Sequence, residues 1–408
     1  MMEPQTTPNV ASIVETAFTW PKGFYSDGLY AGLKAEKPDL GWLFSKVPAS
    51  AAGVYTTNQF CAAPTALTKE TINHDHQLQG IIINSAIANS CTGPQGKLDA
   101  LKEQALMAKK LGVSQNLIGV ASTGVIGEML PMDKIKAGIA KLKQTKSAKV
   151  TEAVLTTDTH TKTIAVKFEI AGHQCTMAGF CKGSGMIHPK MATMLGFVTT
   201  DAKISGACLQ DLLSEEVDTT FNQITVDGDN STNDMVVTMA NGLAMADEES
   251  LTPDHPDYPV FAQAYHQVLS ALAKEIARDG EGATKLVEAN VKGAANDLDA
   301  QHVAKAIVGS NLVKAALFGQ DANWGRIMGA IGATDADLDV NRVDIKLNGI
   351  NIVLSSHGVD YDEWLLRQKL AEDQIKIDVD LHHGFGKGQA WGCDLTYKYV
   401  QINASYRS

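Results

Sequence analysis

The sequence has 408 residues, of which 44% are hydrophobic and 20% are charged. This composition is typical of a globular protein with a large core, and the length predicts two or three domains. The 35 basic and 46 acidic residues give a net charge of −11, which argues against nucleic acid or an anionic membrane as the main partner.

The beginning of the sequence and its cysteines indicate the compartment. Residues 1–8 are polar and lack the basic and apolar regions of a secretory signal, and no run of 18 apolar residues predicts a transmembrane helix. The six cysteines, at positions 61, 91, 175, 181, 208 and 393, are scattered and form no CxxC pair. Such thiols are typical of a reducing compartment, so we expect a cytoplasmic protein.

Apolar periodicity predicts strands and helices in alternation. In chain order, it predicts a strand at Leu78–Asn84, a helix at Leu98–Leu111, strands at Asn116–Ser122 and Lys162–Ile170, a helix at Phe261–Ala277 and a hairpin at Arg342–Leu354. The hairpin turn is expected at Asn348-Gly349. The segment 247–259 carries three prolines and an acidic cluster, which predicts a surface connection. The expected fold is mixed α and β with substantial antiparallel sheet.

The segment 182–195 (KGSGMIHPKMATML) has the features of a cleavage site. Cleavage of the Ala192-Thr193 bond would place the hydroxyl and a free α-amine on Thr193, giving a nucleophile its own base. The reference pKa of an α-amine is about 7.7–8.0, so part of it is neutral near pH 7. The same pattern also fits a glycine-rich loop leading into a buried element, with Thr193 as an ordinary residue.

Two further short segments suggest groups for such chemistry. Thr123-Gly124 follows the predicted strand at 116–122, where backbone N–H groups of a turn can hold an oxyanion; the alternative is an ordinary glycine turn. Glu281 lies between two glycines after the predicted helix at 261–277. Its carboxylate could bind a substrate ammonium group, or it could be a solvated turn residue.

No cofactor site is predicted. The segment 225–234 lacks the EF-hand spacing, so its polar side chains are expected to satisfy loop backbone near the site. The histidines form no HExxH set, and the glycines of 384–388 lack the spacing of a phosphate loop. There is no GxSxG elbow, which leaves Thr193 as the best candidate nucleophile.

Several blocks in order along the chain resemble the ornithine acetyltransferase family of arginine biosynthesis, the self-processing glutamate N-acetyltransferases. These blocks are 121–127 (ASTGVIG), 156–158 (TTD), 182–195, 226–234, 280–285 (GEGATK), 313–329 (VKAALFGQDANWGRIMG) and 391–408. The resemblance implies an α+β fold of the αββα sandwich type. It also implies autocatalytic cleavage at Ala192-Thr193 into an α chain, 1–192, and a β chain, 193–408, that assemble as an α2β2 heterotetramer.

The resemblance also assigns roles to individual residues. Thr193 would be the nucleophile, and Thr123 with Gly124 would form the oxyanion hole. The substrate contacts would be Thr156, Lys182, Thr193, Glu281, Asn403 and Ser408. Because Thr157 adjoins Thr156, the direction of the chain decides which of the two faces the site. A cation, an anion and neutral polar anchors are the groups that a zwitterionic amino acid requires.

The expected reaction moves the acetyl group from N2-acetylornithine to Thr193 and then to glutamate, with ping-pong kinetics. Three alternatives remain open. An N-terminal-nucleophile amidohydrolase or aminopeptidase would use water as the acceptor. Acetyl-CoA could be an additional donor, which would add amino-acid N-acetyltransferase activity. A binding protein without enzymatic activity would stay one intact chain.

Overall fold

The computed structural model describes residues 13–188 and 194–405. The strands are β1 Val14–Thr16, β2 Phe24–Leu29, β3 Leu40–Tyr55, β4 Gln77–Asn84, β5 Ile118–Ser122, β6 Lys162–Ile170, β7 His173–Lys182, β8 Leu195–Thr200, β9 Met235–Ala240, β10 Leu286–Ala294, β11 Asp344–Leu347, β12 Ile350–Leu354, β13 His357–Gly358, β14 Gln374–Asp380 and β15 Gly386–Cys393. The helices are α1 Ala63–Asp75, α2 Gly93–Leu111, α3 Met132–Lys141, α4 Val150–Ala153, α5 Gly206–Thr219, α6 Tyr258–Arg278, α7 Asp297–Gly309, α8 Asn311–Phe318, α9 Trp324–Gly332, α10 Glu363–Leu370 and α11 Tyr397–Ser405.

The larger sheet has nine strands and folds back on itself at β3. Its order is β1-β6-β7-β8-β9-β3-β4-β5, and β2 also pairs with β3. The first part of β3 pairs with β4, whereas Ser50–Tyr55 pairs with β9. A bulge between Phe44 and Ala49 accompanies this change of partner. Because one strand serves both halves of the sheet, the halves can stack as two layers.

Buried side chains fill the space between the two layers of the larger sheet. Ile81 and Ile83 of β4 belong to the same buried cluster as Phe180, Phe197 and Met235 of β7, β8 and β9. Helices α5 and α6 cover the outer face of one layer, and α2 and α3 cover that of the other. This arrangement of helix, two sheet layers and helix confirms the predicted α+β fold of the αββα type.

The smaller sheet has the order β13-β12-β11-β14-β10-β15. Helices α7, α8, α9 and α10 cover one of its faces and share a second buried core with it. Helix α6 joins the two parts, because it packs against β6 and β7 and also contacts β15. Trp391 and Cys393 of β15 therefore belong to the core that α6 shares with the larger sheet.

Most of the predicted elements are present. The strand at Lys162–Ile170 is confirmed with its bounds, and the hairpin turns at Asn348-Gly349 as predicted. Helix α6 exceeds its predicted bounds at both ends, and α2 begins five residues early because Pro94 fits the first turn of a helix. The prediction of a strand from Asn116 was wrong at its beginning, where Gln115–Leu117 forms a short 3-10 helix before β5.

A buried ion cluster anchors the start of β6. The ammonium of Lys162 lies 2.7 Å from Asp158 and 2.5 Å from Asp279, and all three side chains are almost inaccessible to water. Burial alone would raise the pKa of Asp158, but the charges of Lys162 and Lys182 hold it well below its usual range. Burial likewise opposes the rise in the pKa of Lys162 that the two aspartates cause.

Replacing Lys162 by methionine is expected to destabilise the protein strongly. Two buried carboxylates would lose their counter-charge, and breaking such a pair typically costs about 3–5 kcal/mol. Urea unfolding at pH 7 measures the change in the free energy of unfolding. Lys167→Met, a half-buried lysine on the same strand, is the control and should change it by less than about 0.5 kcal/mol. A loss equal to that of the control would contradict the role of the cluster.

Wild-type stability should also depend on this cluster at acid pH. A carboxylate with a lowered pKa in the folded state stabilises fully above its unfolded pKa of about 3.9 and loses this contribution as pH falls further. The part of acid destabilisation that comes from Asp158 should therefore begin near pH 4.

Candidate active site

Lys182 ends β7 and lies in register with Leu195, the first residue of β8. The chain between them therefore leaves the sheet and returns to it at the same edge. Ala192 and Thr193 lie outside the described residues. Met194 is 2% exposed, and its carbonyl accepts a hydrogen bond of 2.8 Å from the N–H of Met235. The return of the chain into β8 is thus fixed beside the start of β9.

The Thr123-Gly124 turn follows β5. The N–H of Thr123 donates to the carbonyl of Asn84 at 3.1 Å, so it is not free to bind a substrate. Gly124 has φ +128°, and a Cβ there would lie 2.1 Å from the carbonyl carbon of Ala86, so this position requires glycine. No acceptor within the described ranges takes the Gly124 N–H. That N–H and the Thr123 hydroxyl are therefore available as oxyanion donors.

Lys182 connects this turn with the end of β7. Its ammonium donates to the hydroxyl oxygen of Thr123 at 3.3 Å. The next residue, Gly183, donates its N–H to the buried Asp158 at 2.7 Å, which holds the chain beyond Lys182 in place. A second lysine, Lys34, interacts electrostatically with Asp158 and with Lys182. Burial lowers the pKa of Lys34 to about 8. The predicted neighbours Thr123 and Lys182 thus meet, although 59 residues separate them in sequence.

Glu281 follows α6 and packs against the loop after β7, so it is not a solvated turn residue. It is 9% exposed, and its N–H donates to the carbonyl of Ser184 at 2.8 Å. A Cβ on Gly185 would lie 2.5 Å from the Glu281 carboxyl carbon, so any larger residue there would displace the Glu281 carboxylate. Asn403 of α11 donates to Glu281 at 2.7 Å. The C-terminal helix therefore reaches the predicted site, whereas Ser408 lies beyond the described residues.

The polar segment 225–234 supports the same loop, as the sequence predicted. Asp227 accepts the N–H groups of Met186 at 2.7 Å and Ile187 at 2.9 Å. Tyr399 of α11 donates its hydroxyl to the same carboxylate at 3.2 Å. His188 contacts the hydroxyl of Thr225 at 3.0 Å. Asp227 was missed as an individual residue, because its pattern within an acidic loop resembles that of its solvated neighbour Asp229.

Asn233 and Asp234, just before β9, were also missed. The side-chain amide of Asn233 donates to the carbonyls of Ala88 at 2.6 Å and Ser122 at 2.8 Å, so it fixes the backbone just before Thr123. Asp234 is 3% exposed and faces the same region. Only the pairing of β9 with β8 and β3 reveals that these two residues are buried, and this pairing is long-range in sequence.

Thr156 and Thr157 lie in a bend before β6 and both are half-buried. The hydroxyl of Thr157 is hydrogen-bonded to that of Ser184 at 2.7 Å, so Thr157 braces the loop after Lys182. The N–H of Thr156 donates to Asp158 at 3.0 Å. The hydroxyl of Thr156 has no partner in the part of the chain that is described, which leaves it available for a ligand.

The turn after β5, the end of β7 and the loop that follows β7 line a small cavity of about 20 Å³. Its lining residues are Thr123, Lys182, Gly185, Met186, Ile187, Met194, Leu195, Ser231, Asn233 and Asp234. Larger cavities lie beside α9 and on the open face of the smaller sheet, at about 890 and 640 Å³. The small cavity is the better candidate, because the Thr123 hydroxyl, a cation and a buried carboxyl converge on it.

The arrangement suits acyl transfer. Donors for an oxyanion lie beside a cation, and the Glu281–Asn403 pair packs against the loop that follows Lys182. Among residues 13–188 and 194–405, no group of three or more His, Cys, Asp or Glu side chains could hold a metal ion. No helix within these ranges has the length and apolar character needed to cross a membrane.

Comparisons with known proteins show which family the chain is similar to. The sequence profile of the ArgJ family matches residues 25–408. The arginine biosynthesis bifunctional protein ArgJ of Lactiplantibacillus plantarum is 66% identical over 392 residues, which cover 96% of this chain and 97% of that protein. The protein of the same name from Oceanobacillus iheyensis is 51% identical over 409 residues and the full length of both. The crystal structure of arginine biosynthesis bifunctional protein argJ from Bacillus halodurans has a TM-score of 0.51 and 55% identity; the match covers 52% of this chain and 100% of that chain.

Proposed function

Since this chain belongs to the ArgJ family of arginine biosynthesis, we propose that it transfers the acetyl group of N2-acetylornithine to glutamate through an acetyl-Thr193 intermediate. One observation carries the proposal. Lys182 contacts the Thr123-Gly124 turn, while Glu281 and Asn403 pack on the loop that leads from Lys182 toward the Ala192-Thr193 bond. Oxyanion donors and groups for both charges of an amino acid thus lie at the end of β7 and against residues 183–185, from which the chain continues toward the proposed nucleophile.

The first step is cleavage of the chain by its own nucleophile. The Thr193 hydroxyl attacks the Ala192 carbonyl, the peptide nitrogen leaves with the hydroxyl proton, and an ester joins Ala192 to Thr193. Water hydrolyses the ester, releasing the carboxylate of Ala192 and restoring the Thr193 hydroxyl. Thr193 then carries a free α-amine, which can accept a proton where the peptide nitrogen could not.

Acetyl transfer uses the same atoms. The α-amine accepts the proton of the Thr193 hydroxyl as its oxygen attacks the acetyl carbonyl, and the Thr123 hydroxyl and the Gly124 N–H stabilise the oxyanion. The proton passes to the leaving nitrogen, so ornithine departs and the acetyl ester remains. Glutamate enters, its amine attacks the ester, and N-acetylglutamate leaves with the Thr193 hydroxyl restored.

The charges of the site match both amino acids. We assign Lys182 to a substrate carboxylate and the Glu281–Asn403 pair to a substrate ammonium group, because each can offer a charge-assisted hydrogen bond. Thr156 and Ser408 are proposed as neutral polar contacts. The reaction as written needs no cofactor, and every proton transfer is made by Thr193 and the substrates.

The length of the chain in one solved structure supports cleavage of this protein. The chain in the Bacillus halodurans structure is matched over its full length by 52% of this chain. Residues 193–408 make up about 53% of the 408 residues, so that chain has the size of the proposed β chain. Strand β8 lies between β7 and β9 in one sheet, so the two products would remain bound. We propose that they assemble as an α2β2 heterotetramer in the cytoplasm.

A second activity is favoured by the names of the relatives, which describe bifunctional proteins. We propose that acetyl-CoA also acetylates Thr193, so that the protein is an amino-acid N-acetyltransferase as well as a glutamate N-acetyltransferase. The competing function is hydrolysis, in which water replaces glutamate as the acceptor. A hydrolase would release acetate without glutamate, as fast as the acetyl group is transferred when glutamate is present.

Isotope exchange tests the proposed reaction. With N2-acetylornithine and labelled ornithine but no glutamate, wild-type protein is expected to move label into N2-acetylornithine, because the first half-reaction is complete without the second substrate. Double-reciprocal plots with both substrates should be parallel. A mixture without enzyme is the control. Exchange that requires glutamate would contradict the covalent intermediate, and acetate release as fast as transfer would favour the hydrolase.

A further inference from the structure

Glutamate and ornithine carry opposite charges at the ends of their side chains. Both molecules have an α-carboxylate, which the proposed function assigns to Lys182. The side-chain ammonium group of ornithine is assigned to the Glu281–Asn403 pair, whereas glutamate brings a second carboxylate to the same site. The Glu281 carboxylate repels that group, because like charges at close range disfavour each other. Binding of glutamate therefore calls for a further cation near Lys182.

The backbone of Lys34 is fixed close to the candidate active site. Its loop wraps around the buried carboxylate of Asp39, which accepts the N–H groups of residues 31–34 at 2.6–3.1 Å. The carbonyl of Asp39 accepts the N–H of Ser85, just after β4, at 2.9 Å. The end of β4 also holds the Thr123-Gly124 turn through a backbone hydrogen bond. The loop of Lys34 and the proposed oxyanion turn are therefore anchored to the same strand end.

The side chain of Lys34 reaches the bend that carries Thr156. Its ammonium donates to the carbonyls of Pro38 at 3.1 Å and Leu155 at 2.5 Å. An ammonium group has three N–H donors, so one donor of Lys34 remains. Leu155 directly precedes Thr156, whose hydroxyl has no partner in the described chain. An anionic ligand at Thr156 therefore lies one residue from an ammonium group with an unused donor.

No carboxylate of the described chain forms an ion pair with Lys34. Asp39 and Asp158 attract its ammonium from a greater distance, and both are engaged by other groups. Asp39 accepts backbone N–H groups, and Asp158 accepts from Lys162 and from the N–H of Gly183. Lys34 is thus a cation near the site whose charge is neutralised by no direct contact.

The surroundings of Lys34 disfavour its charged form. Burial lowers the pKa of Lys34 to about 8, and the charges of Lys182 and Lys37 also lower it. Asp39 and Asp158 act in the opposite direction. A carboxylate ligand beside Lys34 would stabilise the ammonium form and would relieve its repulsion from Lys182. The same surroundings therefore favour binding of an anion.

We propose that Lys34 is a specificity-determining residue that binds the side-chain carboxylate of the acceptor glutamate. This inference rests on the proposed function. Lys182 holds the α-carboxylate of either amino acid, and the charge of the side chain directs an ammonium group to Glu281 or a carboxylate to Lys34. The amide of Asn403 is the competing donor for this carboxylate. Both of its N–H groups are already taken, by Glu281 and by the carbonyl of Tyr399.

Lys34→Met tests the proposal through the choice between glutamate and glutamine as acetyl acceptors. Glutamine has the shape of glutamate without the side-chain charge, so only glutamate requires the Lys34 cation. We expect the ratio of kcat/KM for glutamate to kcat/KM for glutamine to fall at least about tenfold, because a charge-assisted hydrogen bond is lost. Exchange of labelled ornithine into N2-acetylornithine should stay within about twofold of wild type, since this half-reaction involves no second carboxylate.

Lys203→Met is the matched control. Lys203 is also half-buried, and its ammonium also donates to two backbone carbonyls, those of Ala246 at 3.3 Å and Glu248 at 2.6 Å. This variant should keep the wild-type ratio of the two acceptors. A Lys34→Met ratio equal to that of the control would overturn the proposal. An equal loss with glutamate, with glutamine and in the exchange reaction would also overturn it, because Lys34 would then only hold the bend at Leu155 in place.

The pH dependence of the wild-type ratio tests the proposal without a substitution, so it serves even where Lys34→Met does not fold. The ammonium form of Lys34 is present below its pKa of about 8 and is lost as pH rises through that value. The ratio of kcat/KM for glutamate to that for glutamine should therefore fall from about pH 7 to about pH 9, while groups that act equally on both acceptors cancel. A ratio that stays constant would contradict the proposal. Wild-type protein that exchanges no label and acetylates neither acceptor would instead refute the proposed function.

Discussion

Thr193→Ala is expected to leave the protein as one undivided chain and to lower acetyl transfer by at least about 10⁴-fold. Alanine has no hydroxyl to attack either the Ala192 carbonyl or the acetyl group, so one substitution removes both reactions. Denaturing electrophoresis and N-terminal sequencing measure the first effect, since wild-type protein should give a fragment that begins Thr-Met-Leu-Gly. Transfer of a labelled acetyl group to glutamate measures the second.

Two further variants make the Thr193 result specific. Thr252→Ala replaces an exposed threonine of the proposed β chain and should leave cleavage and transfer unchanged. Thr193→Ser keeps both the hydroxyl and the amine, so it should be cleaved and active at a reduced rate. Cleavage or transfer in Thr193→Ala would move the nucleophile to another residue. Loss of both reactions in Thr252→Ala would indicate that the assay reports folding.

The sequence predicts those elements of the fold whose signal is local. The run Ile81–Ile83 is apolar without interruption, which is typical of a strand buried on both faces. One face of β4 packs against the other layer of the sheet, and the opposite face packs against helices. Helix α6 repeats apolar residues at helical spacing because one face packs on the larger sheet. Strand β3 was not predicted. Its second half is rich in small residues, and Pro48 lies within its bulge, so only its long-range pairing identifies it.

The same distinction applies to the candidate site. Thr123 directly follows β5 and Lys182 ends β7, each beside a glycine, and such positions are detectable in sequence. Asn233, Asp234 and Asp227 belong to one polar loop, in which charged residues alternate with small ones. Which of its side chains points inward depends on where β9 enters the sheet, and no local pattern carries that information. Lys162 was missed for a related reason, since its position in a half-buried strand predicts a solvated lysine.

Thr123→Val should lower kcat by about 10²–10³-fold while KM changes by no more than a few-fold. Valine has the shape of threonine but no hydroxyl, and one lost oxyanion donor typically costs this much. The Lys182 ammonium donates to the Thr123 oxygen, which polarises the hydroxyl and leaves its hydrogen free for the oxyanion. The loss should appear mainly in kcat, because negative charge on the carbonyl oxygen develops only in the transition state. Initial rates with N2-acetylornithine and glutamate measure both constants.

Thr123→Ser separates the hydroxyl from the rest of the side chain. Serine retains the donor and should recover most of the wild-type kcat, whereas a role in packing alone would leave serine more damaging than valine. Thr123 is 8% exposed, so valine also leaves Lys182 without its acceptor. If Lys182 binds a substrate carboxylate, that change would raise KM. A fall in kcat at nearly constant KM therefore distinguishes an oxyanion donor from a residue that only holds Lys182 in place.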